Sequence, residues 1–199
     1  MNVKAGFFKR LKALSLPQKK LLAVALCQRM LPNYQLFAEV CQFGNPAVLD
    51  TLLQLLWQSL YDSKLKLNIE LQLAKLEENT PEPEQFDVYG VYPALDAVVA
   101  LSSLLGALES KVEDDITNIS KLSSATVANY IEAIAPENLS DKQLEDFVFA
   151  HEVMQAEREV QENLLTIVEE QPHPKADFIK ELRKEIVAAG VSNIGITLN

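Results

Sequence analysis

The stretch VYPALDAVVALSSLLGAL, residues 91–108, decides the fold. It carries one charge, Asp96, in 18 residues, with Pro93 near its start and Gly106 inside. A membrane span needs about 20 predominantly apolar residues. The run therefore reads as a helix starting at Pro93, ending near Ser110 and buried in a protein core. Such a helix needs partners around its circumference, and the flanking sequence supplies them. Asn45-Pro46 opens a helix to about Tyr61, where Leu49, Leu52, Leu53, Leu56 and Leu60 follow i, i+3, i+4, i+7 spacing. Val48, Leu55 and Trp57 widen that stripe and make this helix central.

The same rhythm extends outward in both directions. Phe7, Leu11 and Leu14 mark a short basic helix. Residues 17–31 predict a second helix, ended by Pro32, and residues 33–43 a third, stopped by Gly44. Asn68 caps a helix with Ile69, Leu73 and Leu76 on one side. Residues 79–85, with two prolines and two acids, predict a linker. Beyond the apolar helix, 113–135 is helical with Ile116, Ile119, Val127, Ile131 and Ile134 inward, and its Ser120, Ser123 and Ser124 allow close approach. Ser140 or Asp141 caps a long outer helix to about Glu170, with Phe149, Val153, Ala156, Val160, Leu164 and Ile167 as its seam. A last helix, 175–189, turns Ile179, Leu182, Ile186 and Ala189 inward and ends at Gly190. Val88–Val91 and Ile194–Leu198 are the only candidates for extended chain, and two short strands make no sheet. The class is all-α: one irregular bundle of eight to nine helices over 1–199, divisible, if anywhere, into 1–78 and 86–199.

Composition excludes several functions. The 199 residues carry a formal charge of −10, which disfavours a general affinity for nucleic acid. The charge is uneven: residues 1–20 hold six cations and no acid, whereas 109–170 hold 15 acids against four cations. The two regions predict intramolecular complementarity; the weaker expectation is a basic N-terminal helix that docks on nucleic acid or anionic lipid. The apolar run 21–27 after the basic start is too short for a signal peptide and lacks the small residue before Cys27. With no export signal and no transmembrane segment, the expected compartment is the cytoplasm, where Cys27 and Cys41 stay reduced.

Motifs for chemistry are scarce. Six scattered glycines form no phosphate loop. His151-Glu152-Val153-Met154 is followed by Gln155, so the zinc motif is not completed, and Glu170-Gln171-Pro172-His173 has no second copy for a di-iron site. No metal or cofactor is expected, and nothing local activates either thiol. Three junctions remain, around 27–34, 86–96 and 190–195. There Arg29 is a candidate anion clamp, Asp87 and Asp96 candidate carboxylates, Tyr34, Tyr89 and Tyr92 aromatic walls, and Asn33 and Asn193 polar positions. The competing structural reading makes them caps and ion pairs, with Asn33 capping a helix and Asp96 either complementing the helix dipole or bonded to Arg29.

Cys27–Tyr34, Phe86–Ala97 and Ser192-Asn193-Ile194-Gly195-Ile196 resemble the signature segments of the YjaG-like bacterial family, domain of unknown function 416. The likeness runs nearly the full length, with Trp57 and the C-terminal helix in place; the acidic stretch 109–170 departs most. The resemblance implies a compact all-helical cytoplasmic protein and no particular activity. The leading expectation is thus a non-enzymatic helical interaction protein with a protein partner or a second copy of itself. The alternative is a small-ligand binder or enzyme whose pocket unites segments 29–34, 87–96 and 192–195.

Overall fold

The computed structural model describes residues 5–198. Among them lie nine α-helices: α1 (Phe7–Ala13), α2 (Leu16–Cys41), α3 (Pro46–Ser59), α4 (Ile69–Glu77), α5 (Val91–Ser110), α6 (Glu113–Ala133), α7 (Asp141–Ala150), α8 (Glu152–Glu169) and α9 (Ala176–Ala189). The described residues contain no strand, only an isolated bridge between Val191 and Thr197. Segment 88–91, a candidate for extended chain, instead turns into the start of α5.

α5 and α2 form the centre. α5 buries Ala97, Val98, Leu101, Leu104 and Leu105, as its apolar composition requires. It is the one described helix long and apolar enough to cross a membrane, and more than half of that window is buried inside the protein. α2 packs against α3, α5, α6, α8 and α9. The predicted break at Pro32 does not occur: one helix of 26 residues runs through it. An interior proline removes the bond to the carbonyl four residues back and costs about 3 kcal/mol. Beyond Pro32 the helix buries Tyr34, Phe37 and Ala38. Each large side chain contributes about 1.5–3 kcal/mol of burial, so continuation outweighs the break.

Two other boundaries differ from the sequence expectation. The long outer helix is two, α7 and α8, broken at His151, whose extended backbone (φ −65°, ψ 138°) ends one and starts the other. Its Nδ1 accepts the N–H of Val153 at 3.3 Å, so this histidine is a helix cap. Segment 79–85 is fastened rather than loose. The Asn79 side chain accepts from the Asn45 N–H (2.7 Å) and donates to the Lys75 carbonyl (2.7 Å), and its own carbonyl accepts the Tyr34 hydroxyl (2.8 Å). Gly44, at φ +65°, lies so close that a Cβ there would overlap that hydroxyl. The main core runs from Leu11 to Leu182 and takes residues from both sides of 79–85.

Pro32→Ala restores the missing backbone donor inside α2. It is expected to stabilise the protein by about 1–3 kcal/mol in urea unfolding. A loss of stability would mean that the bundle depends on a proline-shaped bend.

Candidate functional site

α8 faces the bundle with a polar edge. Met154, Glu157, Gln161, Leu164, Leu165 and Val168 are its buried positions. The expected seam is rotated by one residue, about 100° of helix: Phe149 is 60% and Ile167 37% exposed. The cause lies opposite. α6 presents Ser120, Ser123 and Ser124 at i, i+3, i+4, and these meet Glu157 and Gln161 at i, i+4. Hydroxyl donors on one helix fix which face of the other turns inward.

The network is dense. Glu157, fully buried, accepts from Ser123 Oγ and Gln161 Nε2 (both 2.6 Å) on one oxygen and from Arg29 Nη1 (2.5 Å) on the other. Gln161 accepts from Ser120 Oγ (2.6 Å) and donates to Ser124 Oγ (3.1 Å). Asn193, in the turn after α9, donates to the Ser123 carbonyl (3.1 Å) and accepts from Asn33 Nδ2 (2.9 Å). Arg29 and Asn33 share a face of α2 one turn apart, which is why both reach the network. Asn33 Oδ1 is left without a partner, the one such buried side-chain atom among the described residues. Fully buried beneath three donors, the Glu157 carboxylate is out of reach of a substrate in solvent.

The eight candidate residues therefore separate. Arg29, Asn33 and Asn193 meet in this network, with Glu157 in the place expected for Asp96 as the partner of Arg29. Asp96 instead accepts from Thr126 Oγ1 at 2.7 Å. Burial raises its carboxyl above the usual range, against the pull of that bond. Beside it Tyr89 packs on Tyr92 and Tyr130, with ring centroids 5.6 and 6.2 Å away in tilted aromatic contacts. Burial, then the charges of Asp96 and Glu132, push the Tyr89 hydroxyl up to about 12. Tyr34, next to Asn33 on α2 but on another face of it, donates to the Asn79 carbonyl, its hydroxyl pushed up to about 12 by burial. Asp87 is exposed before α5 and joins none of these groups.

The large accessible concavity lies on the outer side of the network. α6, α7, α8 and the start of α1 enclose a groove of about 1080 Å³. Phe8, Leu144, Val148, Phe149 and Met154 supply its apolar surface, and Ser124, Ala125 and Ala128 of α6 keep it deep. Gln161 reaches both the network and the groove. Glu157 and the groove were missed in the sequence because the acids of 140–170 read as a solvated face. The findable signal was the match of Glu157 and Gln161 at i, i+4 to three serines at i, i+3, i+4.

Comparison with known proteins gives one family. The sequence model of DUF416, described as a protein of unknown function, matches residues 6–197. The uncharacterized protein YjaG of Escherichia coli K12 is 35% identical over 188 residues, covering 94% of each chain. An uncharacterized protein of Haemophilus influenzae is 33% identical over 190 residues, covering 94% of this chain and 95% of its own. The crystal structure of a DUF416 family protein from Shewanella baltica is 68% identical, covers 98% of this chain and 100% of its own, and superposes with a TM-score of 0.94.

Arg29→Met leaves Glu157 charged and unpaired in the core, and is expected to cost about 3–5 kcal/mol in urea unfolding. Adding Glu157→Gln should recover part of that loss; a double variant no better than the single would refute the pairing argument. Asp96 has the opposite sign. Its folded-state carboxyl holds its proton longer than the unfolded one, so its contribution is intact below the ordinary carboxyl range and is lost as pH rises through the raised value. Asp96→Asn keeps an acceptor for Thr126. It should be more stable than the parent at neutral pH, with the difference closing on acidification.

Proposed function

The chain belongs to the DUF416 family of proteins of unknown function, and from that premise we propose that it is a cytoplasmic, non-enzymatic interaction protein. It receives a helical segment of another protein in the groove between α6, α7 and α8. The observation that carries this reading is the groove: about 1080 Å³ of concavity with Phe8 50% and Phe149 60% exposed at its surface. A helix is about 10 Å across and rises 1.5 Å per residue, so a concavity of this scale is suited to a segment of a few turns. Amphipathic helices dock in grooves of this kind through apolar anchors at helical spacing, and contiguous apolar surface of this sort marks interaction sites.

The groups that chemistry would need are committed to structure. Glu157 is fully buried and bonded to three donors, His151 caps α8, and burial pushes the Cys27 thiol up to about 12. The small-ligand alternative draws less support, because Arg29 and Asn193 are turned into a buried network. The expectation of a nucleic-acid or lipid arm is weakened in the same way. Arg10 is bonded to Glu162 and Glu169, and Lys19 to Glu113 at 2.5 Å, so two of the N-terminal cations are spent inside the molecule.

The probe is a labelled synthetic helix of about 18 residues, long enough to form in isolation, with a Leu/Phe face and a glutamine polar face. Fluorescence anisotropy should show saturable binding, with NMR shifts concentrated on α6, α7 and α8. Phe149→Ser, at an exposed position, should weaken binding about tenfold by removing buried apolar area. Binding that is indifferent to this substitution, with shifts elsewhere, would sink the reading.

A further inference from the structure

Resting on that reading of the groove, we infer that its occupant is a basic amphipathic helix, held as the chain holds its own α1. The first observation is charge. Glu132 on α6, Asp141 and Glu145 on α7 and Glu159 on α8 line the groove. None of the four is ion-paired to a lysine or arginine among the described residues. The one cation in the lining, Arg158, lies flat on Phe149, 3.9 Å from the ring centroid. An apolar surface between uncompensated carboxylates on three helices calls for apolar side chains flanked by Lys or Arg.

The second observation is that the molecule already contains such a complex. α1, sequence FFKRLKA, is a basic amphipathic helix packed on α6 and α8. Leu11 is buried beneath it. Arg10, 7% exposed, puts Nε and Nη2 on Glu169 (2.9 and 2.6 Å), Nη2 also on Thr166 (3.0 Å), and Nη1 on Glu162. These contacts hold the Arg10 guanidinium well above its ordinary value. Glu162, Thr166 and Glu169 stand at i, i+4, i+7 on α8, and Glu159 continues their stripe three residues earlier. α1 therefore covers the C-terminal part of an acidic stripe whose next member lines the groove. Phe7 and Phe8 of α1 form the near end of that groove, so a second basic helix would extend the existing contact. A second copy of the chain fits poorly: it carries −10 overall, and its own basic helix is already engaged.

Three synthetic helices separate this inference from the reading beneath it. All share the Leu/Phe face; their polar faces are Lys/Arg, Gln or Glu. The Lys/Arg peptide is expected to bind at least tenfold more tightly than the Gln peptide at low ionic strength, an advantage that high salt removes. The triple variant Glu132→Gln, Glu145→Gln, Glu159→Gln should abolish the advantage and leave the Gln peptide unaffected. Equal binding of the Gln and Lys/Arg peptides would overturn the inference while the groove reading stands. Failure of all three peptides would overturn both. A scrambled Lys/Arg peptide that binds as tightly as the amphipathic one would reduce the effect to general attraction and overturn the inference. So would a concentration-dependent dimer, seen by sedimentation and abolished by Phe149→Ser, since the groove would then belong to a second copy.

Discussion

A carboxylate with no access to water must find its partners inside the protein, and Glu157 finds three on three different residues. That requirement shapes the outer half of the molecule. Arg29 reaches it from α2 and Ser123 from α6, so both helices must lie close to α8; the continuation of α2 through Pro32 also brings Asn33 to Asn193. Taking either charge of such a pair out of water costs several kcal/mol, repaid only when the geometry and the remaining hydrogen bonds are complete. The serines, Gln161 and Asn193 complete them. The bundle is thus fixed in register by polar contacts where helix packing alone would tolerate rotation.

The rotation has a consequence on the surface. With Glu157 and Gln161 inward, the seam residues Val153, Val160 and Ile167 are left half-buried or exposed. The chain breaks at His151 between α7 and α8, and Phe149, at the end of α7, stands outside the core. Small side chains on α6, needed for the close approach to α8, also leave depth beside it. The inner network and the outer groove are therefore two results of one packing decision, with Gln161 touching both.

How much of this was legible follows from which force decides each element. Where apolar burial decides, the sequence spoke clearly. The leucine stripe of α3, the buried α5 and the caps Asn45, Asn68 and Ser140 lie where periodicity and capping rules put them. Where a local rule competes with tertiary packing, it misled. Pro32 signals a stop, but Tyr34 and Phe37 beyond it are buried in the same core. The prolines of 79–85 signal a loose linker, but Asn79 supplies two side-chain bonds and a carbonyl to its surroundings. Of the candidate site, Arg29, Asn33 and Asn193 were found as polar residues at helix junctions. Glu157 was not, because one buried acid among fifteen looks like its neighbours until its partners on other helices are known.

The uneven charge along the sequence takes its meaning from the same geometry. A seven-residue helix such as α1 does not persist alone in water. It exists here because Leu11 is buried and Arg10 meets two glutamates of α8 at once. Arginine suits that role better than lysine: its planar fork spans both carboxylates and the Thr166 hydroxyl, where a single ammonium would serve fewer. α1 therefore acts as a ligand for the acidic middle, and its seven residues cover only the C-terminal part of the stripe on α8. The acids it leaves over are not spread evenly into solvent; four of them border one apolar hollow. Uncompensated charge beside exposed aromatic surface serves recognition as well as solubility, because the carboxylates orient and select what the apolar surface alone would bind indiscriminately.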